Sequence, residues 1–241
     1  MLGAVGWEEY VEILDRVVEK ALRIAHVKAP PVDPFRIAEA LGVQVVWDNR
    51  LQERGRYVRL RRRHSHPQTA AMILQRHPRP ERRYWSAAHE LGEHLVYQVA
   101  AGLGAATEED LGEYRERIAN HLAARILLPT RWFAEDGARV DWDLRLLKSR
   151  YPTASHEAIA RRMLEMSTPV VITVFDQGML IWRRANRWGR VPLLSSAESL
   201  CWQSAHRQGQ DQEQWTEGLR IRVWAVHEPG WRREILRTET W

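Results

Sequence analysis

The sequence predicts an α+β protein in which a larger N-terminal part is followed by a small C-terminal α+β domain. Apolar residues recur at helical spacing over 7–25 and 81–101, which predicts amphipathic helices. Short apolar segments bounded by turn residues, such as 43–47 and 69–74, predict strands. The pattern changes at 167–169 (Ser-Thr-Pro), and the later segments are mostly strand-like. With 241 residues, 44% of them hydrophobic, the chain is long enough to bury a full core.

Capping and turn residues mark the N-terminal elements. The helix over 7–25 has one apolar face and is followed by a proline-rich connector. Asp33 can cap the next helix, Pro34 fits its first turn, and Gly42 can end it. Three strands are then predicted at 43–47, 57–60 and 69–74.

More helices follow in the middle of the chain. The helical pattern over 81–101 is followed by Thr107 and three acidic residues, which favour the start of another long helix. Pro129 should stop that helix after Leu127 or Leu128. Two short helices are predicted at 141–150 and 155–166. The pair permits a helix-turn-helix interpretation, although a simple helical pair is commoner.

The C-terminal part combines a hairpin, a helix and two further strands. The hairpin is predicted from 169–175 and 179–183 around a polar turn. Ser195 and Glu198 form a capping box that begins a helix. The polar stretch 208–214 is expected to be a mobile loop, with strands after it at 219–226 and 232–236. The predicted division is therefore a domain at 1–140, a helix-turn-helix-like segment at 141–167 and a small α+β domain at 168–241.

Composition restricts the class of protein. The single cysteine, Cys201, excludes an internal disulfide framework and a thiolate metal cluster. No apolar run approaches the ~20 residues that span a membrane, and acidic residues come too early for a secretory signal. We therefore expect a cytoplasmic protein that does not enter a membrane. The net charge of +5, which comes mostly from arginine, fits either nucleic-acid binding or an Arg-rich solvated surface.

One helix carries residues that indicate metal chemistry. The run at 89–94 is His-Glu-Leu-Gly-Glu-His, which resembles a zinc-binding helix of the His-Glu-x-x-His type. In such a helix the two outer residues bind the metal and the Glu acts as general base. His89 and Glu90 occupy the first two positions. The position four residues after His89, which shares its helix face, holds Glu93.

The second histidine comes one residue too late. His94 lies five residues after His89, or about 140° around a regular helix, so both could face one metal only across a π-bulge. Glu93 can bind zinc through oxygen. We therefore expect His89 and Glu93 as the first two ligands, with His94 as the alternative to Glu93.

A third ligand is needed if one coordination position is to stay open for water. The next long helix offers Glu113, Glu116 and His121. Their spacing alone does not show which of the three is the third ligand.

Several segments together resemble the ImmA/IrrE family of metallopeptidases. The matching pieces, in the order of the chain, are Pro30-Pro31-Val32-Asp33, Ile37-Ala38-Glu39-Ala40-Leu41-Gly42, Ala88-His89-Glu90-Leu91-Gly92, Glu116-Arg117-Ile118-Ala119-Asn120 and Leu127-Leu128-Pro129. Residues 155–164 also resemble the segment that follows in the family. The resemblance covers about residues 8–166.

The resemblance implies a zincin-like peptidase fold and assigns roles to named residues. It implies that His89 and Glu116 are ligands and that Glu90 is the general base. Where the family usually has a second His, this chain has Glu93. Because a His/Glu/Glu set is richer in oxygen, Mn²⁺ or another divalent ion is plausible beside Zn²⁺.

The function that the resemblance implies is regulatory. Family members typically cleave a helix-turn-helix transcriptional repressor, often in stress-response or mobile-element switching. The competing hypothesis is a catalytically inactive protein that binds a repressor, or DNA through residues 141–166. Glu93 in place of His and the basic charge favour this alternative.

Overall fold

The computed structural model describes residues 6–60, 69–104, 111–112, 114–187, 189–216 and 218–240. The chain divides into two compact units. The first comprises Met1–Asp136 and Ser149–Ser155, and the second comprises Gly137–Lys148 and His156–Trp241. Helices and two separate sheets occur in the described residues, so the α+β class is confirmed. The three-part division of the chain remains a prediction.

The first unit is built from helices and one small sheet. Its elements are α1 (Trp7–Ile24), α2 (Pro34–Ala40), β1 (Val43–Trp47), β2 (Gly55–Leu60), β3 (Thr69–Leu74), α3 (Pro80–Gly102), α4 (Tyr114–Leu127) and the start of α5 (Thr130–Arg139). The Asp33 side chain accepts a hydrogen bond from the Phe35 backbone N–H at 2.9 Å and so caps α2. Gly42 follows α2 with φ of +70°, a conformation that favours glycine. These boundaries agree with the prediction.

The small sheet has β3 between the other two strands. β1 pairs with β3 in parallel, and β2 pairs with β3 antiparallel. The central strand buries Met72 and Leu74 completely. Within the described residues, β2 therefore forms one edge of this sheet.

Pro129 directly precedes a helix, α5, that the sequence pattern did not predict. The helix α4 ends at Leu127 as expected, but α5 starts at Thr130. The Phe133 N–H donates to the Pro129 carbonyl at 2.8 Å, so the proline stands at the entrance to α5, where its missing N–H costs nothing. The expected helix start at Thr107 lies outside the described residues.

The second unit contains a five-stranded antiparallel sheet and one long helix. The helix α6 (Leu144–Arg150) begins in this unit and ends in the first one. The other elements of the second unit are α7 (His156–Met163), β4 (Val170–Asp176), β5 (Met179–Ala185), α8 (Ser196–Gln208), β6 (Gln212–Thr216), β7 (Leu219–Glu228) and β8 (Trp231–Thr240). The strand order is β5-β4-β8-β7-β6. The inner face of α8 packs on the sheet through Cys201 and Ala205, which contact Ile221, Val223 and Leu236.

The capping box that begins α8 is confirmed. The Glu198 N–H donates to the Ser195 hydroxyl, and the Ser195 N–H donates to the Glu198 carboxylate. Glu198 is buried and also accepts from Arg183 and Thr238. Burial raises the pKa of Glu198, but these hydrogen bonds and the arginine charge outweigh burial and lower it below its usual value.

The expectation that residues 208–214 form a loop was wrong at their C-terminal end. Gln212–Thr216 is the strand β6, paired antiparallel with β7. Its side chains alternate between half-buried and exposed, which is the period of a strand despite the polar composition. Arg220 of β7 lies directly opposite Trp215, with its guanidinium 4.7 Å from the ring centroid. Such cross-strand pairs can hold a polar edge strand in place.

No helix in the described ranges combines the length and the apolar character that crossing a membrane would require.

Candidate metal centre and active site

The close approach of α3 and α4 positions the site. A Cβ atom on Gly92 of α3 would lie 2.5 Å from the carbonyl oxygen of Ala119 in α4, so the contact has room only for glycine. His89 lies three residues before Gly92, and Glu116 lies three residues before Ala119. The glycine contact thus holds α3 against α4 within one turn of His89 and of Glu116.

Three side chains converge at this contact. His89, Glu93 and Glu116 each offer one potential ligand atom, and these atoms lie within 4.8 Å of one another. The closest measured pair is His89 Nε2 and Glu116 Oε2, at 3.6 Å. The His89 and Glu93 side chains are 18% and 14% exposed, whereas Glu116 is 68% exposed. The group is therefore sheltered by α3 and open to solvent on the α4 side.

Two neighbours on α4 orient the carboxylates. Arg115 donates through Nε to Glu93 Oε2 at 2.6 Å. Asn120 donates through Nδ2 to Glu116 Oε1 at 3.0 Å, which leaves Oε2 facing His89. Each carboxylate has two oxygens, so each can accept such a bond and still offer an oxygen to an ion. Hydrogen bonds of this kind orient metal ligands in proteins.

The three donors fit a divalent metal ion. With metal–ligand bonds of about 2.0–2.1 Å in tetrahedral geometry, two ligand atoms stand about 3.3 Å apart. The observed 3.6 Å between His89 Nε2 and Glu116 Oε2 is close to this value. One imidazole nitrogen with two carboxylates suits zinc and also harder ions such as manganese.

Glu90 lies beside this group in an enclosed position. Its side chain is buried, and its carboxylate rests against Gly55 of β2, where a Cβ atom would clash with Oε1. Burial raises the pKa of Glu90 to about 7, with added contributions from the negative charges of Glu93 and Glu116. A hydrogen bond from the Tyr57 backbone N–H opposes this shift. A carboxyl group with a pKa near neutrality suits a residue that takes up and releases a proton.

The alternative ligands are placed elsewhere. His94 Nδ1 lies 2.8 Å from the Tyr57 hydroxyl, and α3 continues through this turn as a regular α-helix without a π-bulge. His121 Nδ1 lies 2.9 Å from the Tyr10 hydroxyl of α1. Neither histidine belongs to the convergent group. The third alternative, Glu113, lies outside the described residues.

Sequence reasoning missed four residues that shape the site. Gly55 and Tyr57 belong to β2, which nothing in their local pattern connects to the helix at 89–94. Asn120 stands four residues after Glu116, and this helical spacing could have indicated their hydrogen bond. For Arg115 the sequence offers no signal, because its partner is on another helix.

A comparison with known protein families identifies the region of the chain that contains this group. The model of the Peptidase_M78 family, described as an IrrE N-terminal-like domain, matches residues 38–164. The chain belongs to the ImmA/IrrE family of metallopeptidases. The matched range contains the four residues His89, Glu90, Glu93 and Glu116. Membership in a metallopeptidase family implies a divalent metal, for which the convergent group provides donors.

A solved structure shares the fold of this family member. A Mycobacterium tuberculosis transcriptional regulator superposes with a TM-score of 0.65 at 18% sequence identity. The similarity covers 94% of this chain and 75% of that chain. At this identity the likeness concerns the fold. No curated protein sequence matches the chain.

Proposed function

We propose that the protein is a metal-dependent endopeptidase of zincin-like fold, with Zn²⁺ as the expected ion and Mn²⁺ as an alternative. In this proposal His89, Glu93 and Glu116 hold the ion and Glu90 is the general base. One observation carries the proposal: three donors converge beside a buried carboxyl group whose pKa is raised to about 7. Membership in a peptidase family supports it.

When bound, a divalent ion supplies Lewis acidity, which polarises a peptide carbonyl and makes a water molecule more acidic. Glu90 then accepts a proton from the attacking water and delivers it to the departing amide nitrogen. The Tyr57 N–H holds the Glu90 carboxylate in place during both transfers. Gly55 lets that carboxylate lie directly against the strand.

The strand β2 offers a place for an extended peptide. It forms an edge of the small sheet within the described residues, and two of its residues contact Glu90. A substrate segment that pairs with this edge would gain backbone hydrogen bonds and present its carbonyl groups next to Glu90. Such recognition requires an extended segment, as in a linker between folded domains.

We infer that the substrate is a helix-turn-helix transcriptional repressor and that the protein acts as a cytoplasmic regulator of transcription, for example in a stress response. The family relationship supports this, and the neighbour of similar fold is itself called a transcriptional regulator. The test begins with a helix-turn-helix protein encoded beside this one, purified and incubated with the full chain and zinc or manganese. We expect cleavage at one or a few sites.

The decisive variant is Glu90→Gln. It should abolish cleavage while leaving metal binding within about threefold of the wild type, because Gln keeps the shape of Glu90 but accepts no proton. Glu39→Gln, at an exposed position of α2, is the matched control and should cleave normally. Cleavage by Glu90→Gln at the wild-type rate would refute the proposed mechanism.

A second candidate function is a catalytically inactive regulator that binds a repressor or DNA. The observation that favours it is the ion pair between Arg115 and Glu93, which places a positive charge beside the proposed metal position. The helices α6 and α7 would be the helix-turn-helix-like element that contacts DNA. Metal analysis discriminates between the two functions. If the wild type in excess zinc holds less than about a tenth of an equivalent more than a variant with His89→Ala and Glu116→Ala, the inactive regulator is favoured. Its DNA affinity should then fall steeply with salt.

A further inference from the structure

A second group of potential metal ligands lies in the C-terminal unit. His206 stands near the end of α8, His227 near the end of β7, and Glu234 near the start of β8. Their ligand atoms lie within 4.8 Å of one another. The group is outside the segment 38–164 that matches the peptidase family.

Both histidines contact the same carboxylate oxygen of Glu234. His206 Nδ1 lies 2.9 Å from Glu234 Oε1, and His227 Nε2 lies 2.5 Å from it. Glu234 is 0% exposed and sits on a central strand, where it pairs with residues of β4 and β7. A carboxylate removed from water in this way costs free energy unless positive charge or several donors compensate it.

The other oxygen of Glu234 is fixed by a tryptophan. Trp202 donates through Nε1 to Glu234 Oε2 at 3.2 Å. The indole is itself held by stacking on Phe175, with ring centroids 4.2 Å apart and an angle of 15° between the planes. The tryptophan therefore orients the carboxylate so that Oε1 faces the two histidines, as neighbours of metal ligands commonly do.

We propose that His206, His227 and Glu234 bind a divalent transition-metal ion. Two imidazoles and one carboxylate are a ligand set that zinc uses in proteins, and it leaves a fourth position for water or another ligand. The nitrogens and Oε1 now stand 2.5–2.9 Å apart, so they would separate to about 3.3 Å around an ion.

A glycine lies beside each histidine ring, at the ring nitrogen that does not face Glu234. A Cβ atom on Gly178 would lie 3.8 Å from His206 Nε2, and one on Gly209 would lie 3.3 Å from His227 Nδ1. At these two positions the neighbouring residue itself adds no side chain against the ring. Both glycines have positive φ, a backbone conformation that residues with side chains rarely adopt.

The ion would connect three elements that are separated in sequence. It would tie the end of α8 to the hairpin of β7 and β8. Because folding brings the three ligands together, binding the ion stabilises the folded unit. The C-terminal unit would thus respond to the availability of zinc-like ions independently of the proposed peptidase centre.

The test uses a double variant that keeps the hydrogen bonds of Glu234. In His206→Asn the amide nitrogen takes the place of Nδ1, and in His227→Gln it takes the place of Nε2. The full-length chain, stripped with EDTA, is titrated with zinc chloride in a calorimeter. We expect two equivalents in the wild type and one in the double variant. A variant with His89→Ala and Glu116→Ala, which lacks the proposed peptidase centre, should bind one equivalent of zinc. Adding His206→Asn and His227→Gln to that variant should abolish the remaining zinc binding.

A second measurement follows Trp202 directly. Its indole N–H resonance, assigned with Trp202→Phe, should shift on addition of zinc to the wild type and stay unmoved in the double variant. The wild-type melting temperature should rise by several degrees more with zinc than that of the double variant. Equal zinc stoichiometry in the two proteins, or an indole signal that zinc leaves unmoved, would overturn the proposal. If the peptidase centre fails to bind zinc, the wild type still takes up one equivalent, which the double variant loses.

Discussion

The buried carboxyl group of Glu90 should make the metal-free wild type less stable at neutral pH than the variant Glu90→Gln. The pKa of Glu90 is about 7 in the folded protein against an ordinary value of 4.5. Each pKa unit corresponds to 1.36 kcal/mol, so keeping Glu90 ionised in the fold costs about 3 kcal/mol. Glu90→Gln removes this cost, because Gln has a similar shape and stays neutral.

The sign of the pH dependence follows from the raised pKa. Below about pH 4.5 the carboxyl group is protonated in both states, so wild type and Glu90→Gln should be equally stable. Between about pH 4.5 and 7 the unfolded chain releases the proton first, and the wild type loses stability relative to the variant. Above pH 7 the difference stays constant at about 3 kcal/mol.

Thermal melting in EDTA, followed by circular dichroism at pH 4 and pH 8, measures this difference. At about 2–4 °C per kcal/mol, Glu90→Gln should melt up to about 10 °C higher than the wild type at pH 8 and at the same temperature at pH 4. Zinc should reduce the gap, because a nearby positive charge favours ionised Glu90. Glu39→Gln is the control and should show no gap. A variant less stable than the wild type at pH 8, or a gap independent of pH, would refute the reasoning.

Three further substitutions test the residues around the candidate metal site and the buried ion pair of Glu198. Gly92→Ala puts a methyl group 2.5 Å from a backbone oxygen of α4 and should cost about 1–3 kcal/mol in urea unfolding as well as weaken zinc binding. The control Gly6→Ala, with open space around the added methyl group, should leave zinc binding unchanged. Arg115→Gln removes a positive charge beside Glu93 but keeps a donor, so zinc affinity measured by competition with a chelator should rise about tenfold; a fall would show that the charge is needed. Glu198→Gln should destabilise the C-terminal unit by about 3 kcal/mol at pH 7, because its buried arginine partner loses a countercharge. Since the pKa of Glu198 is lowered, the gap should close as pH falls through that pKa, and a gap that persists in acid would contradict the assignment.

Local signals predicted the elements that depend on local contacts. Asp33 caps α2 through a hydrogen bond to a residue two positions away, and Ser195 and Glu198 cap α8 within one turn. The sequence could not reveal β6, because its polar residues form a strand only through pairing with β7. Pro129 was interpreted as a stop when it also serves as the entrance to α5.

The candidate site also combines residues that local spacing indicates with residues that depend on contacts between distant parts of the chain. Helical spacing selected Glu93 over His94 from the sequence, and the structure places His94 against Tyr57. The choice of Glu116 came from the resemblance to a family, because spacing along α4 could not show which residue lies next to α3. That contact depends on Gly92 and a backbone oxygen of another helix, a packing relationship that one sequence does not display.

Anomalous diffraction at the zinc edge, from crystals of the full chain grown with zinc, tests the central claim most directly. We expect a peak about 2 Å from His89 Nε2 and from one carboxylate oxygen each of Glu93 and Glu116, with the Glu90 carboxylate beside it but not bound. Zinc bound to His94 in place of Glu93, or no peak at His89 in zinc-saturated crystals, would contradict the claim.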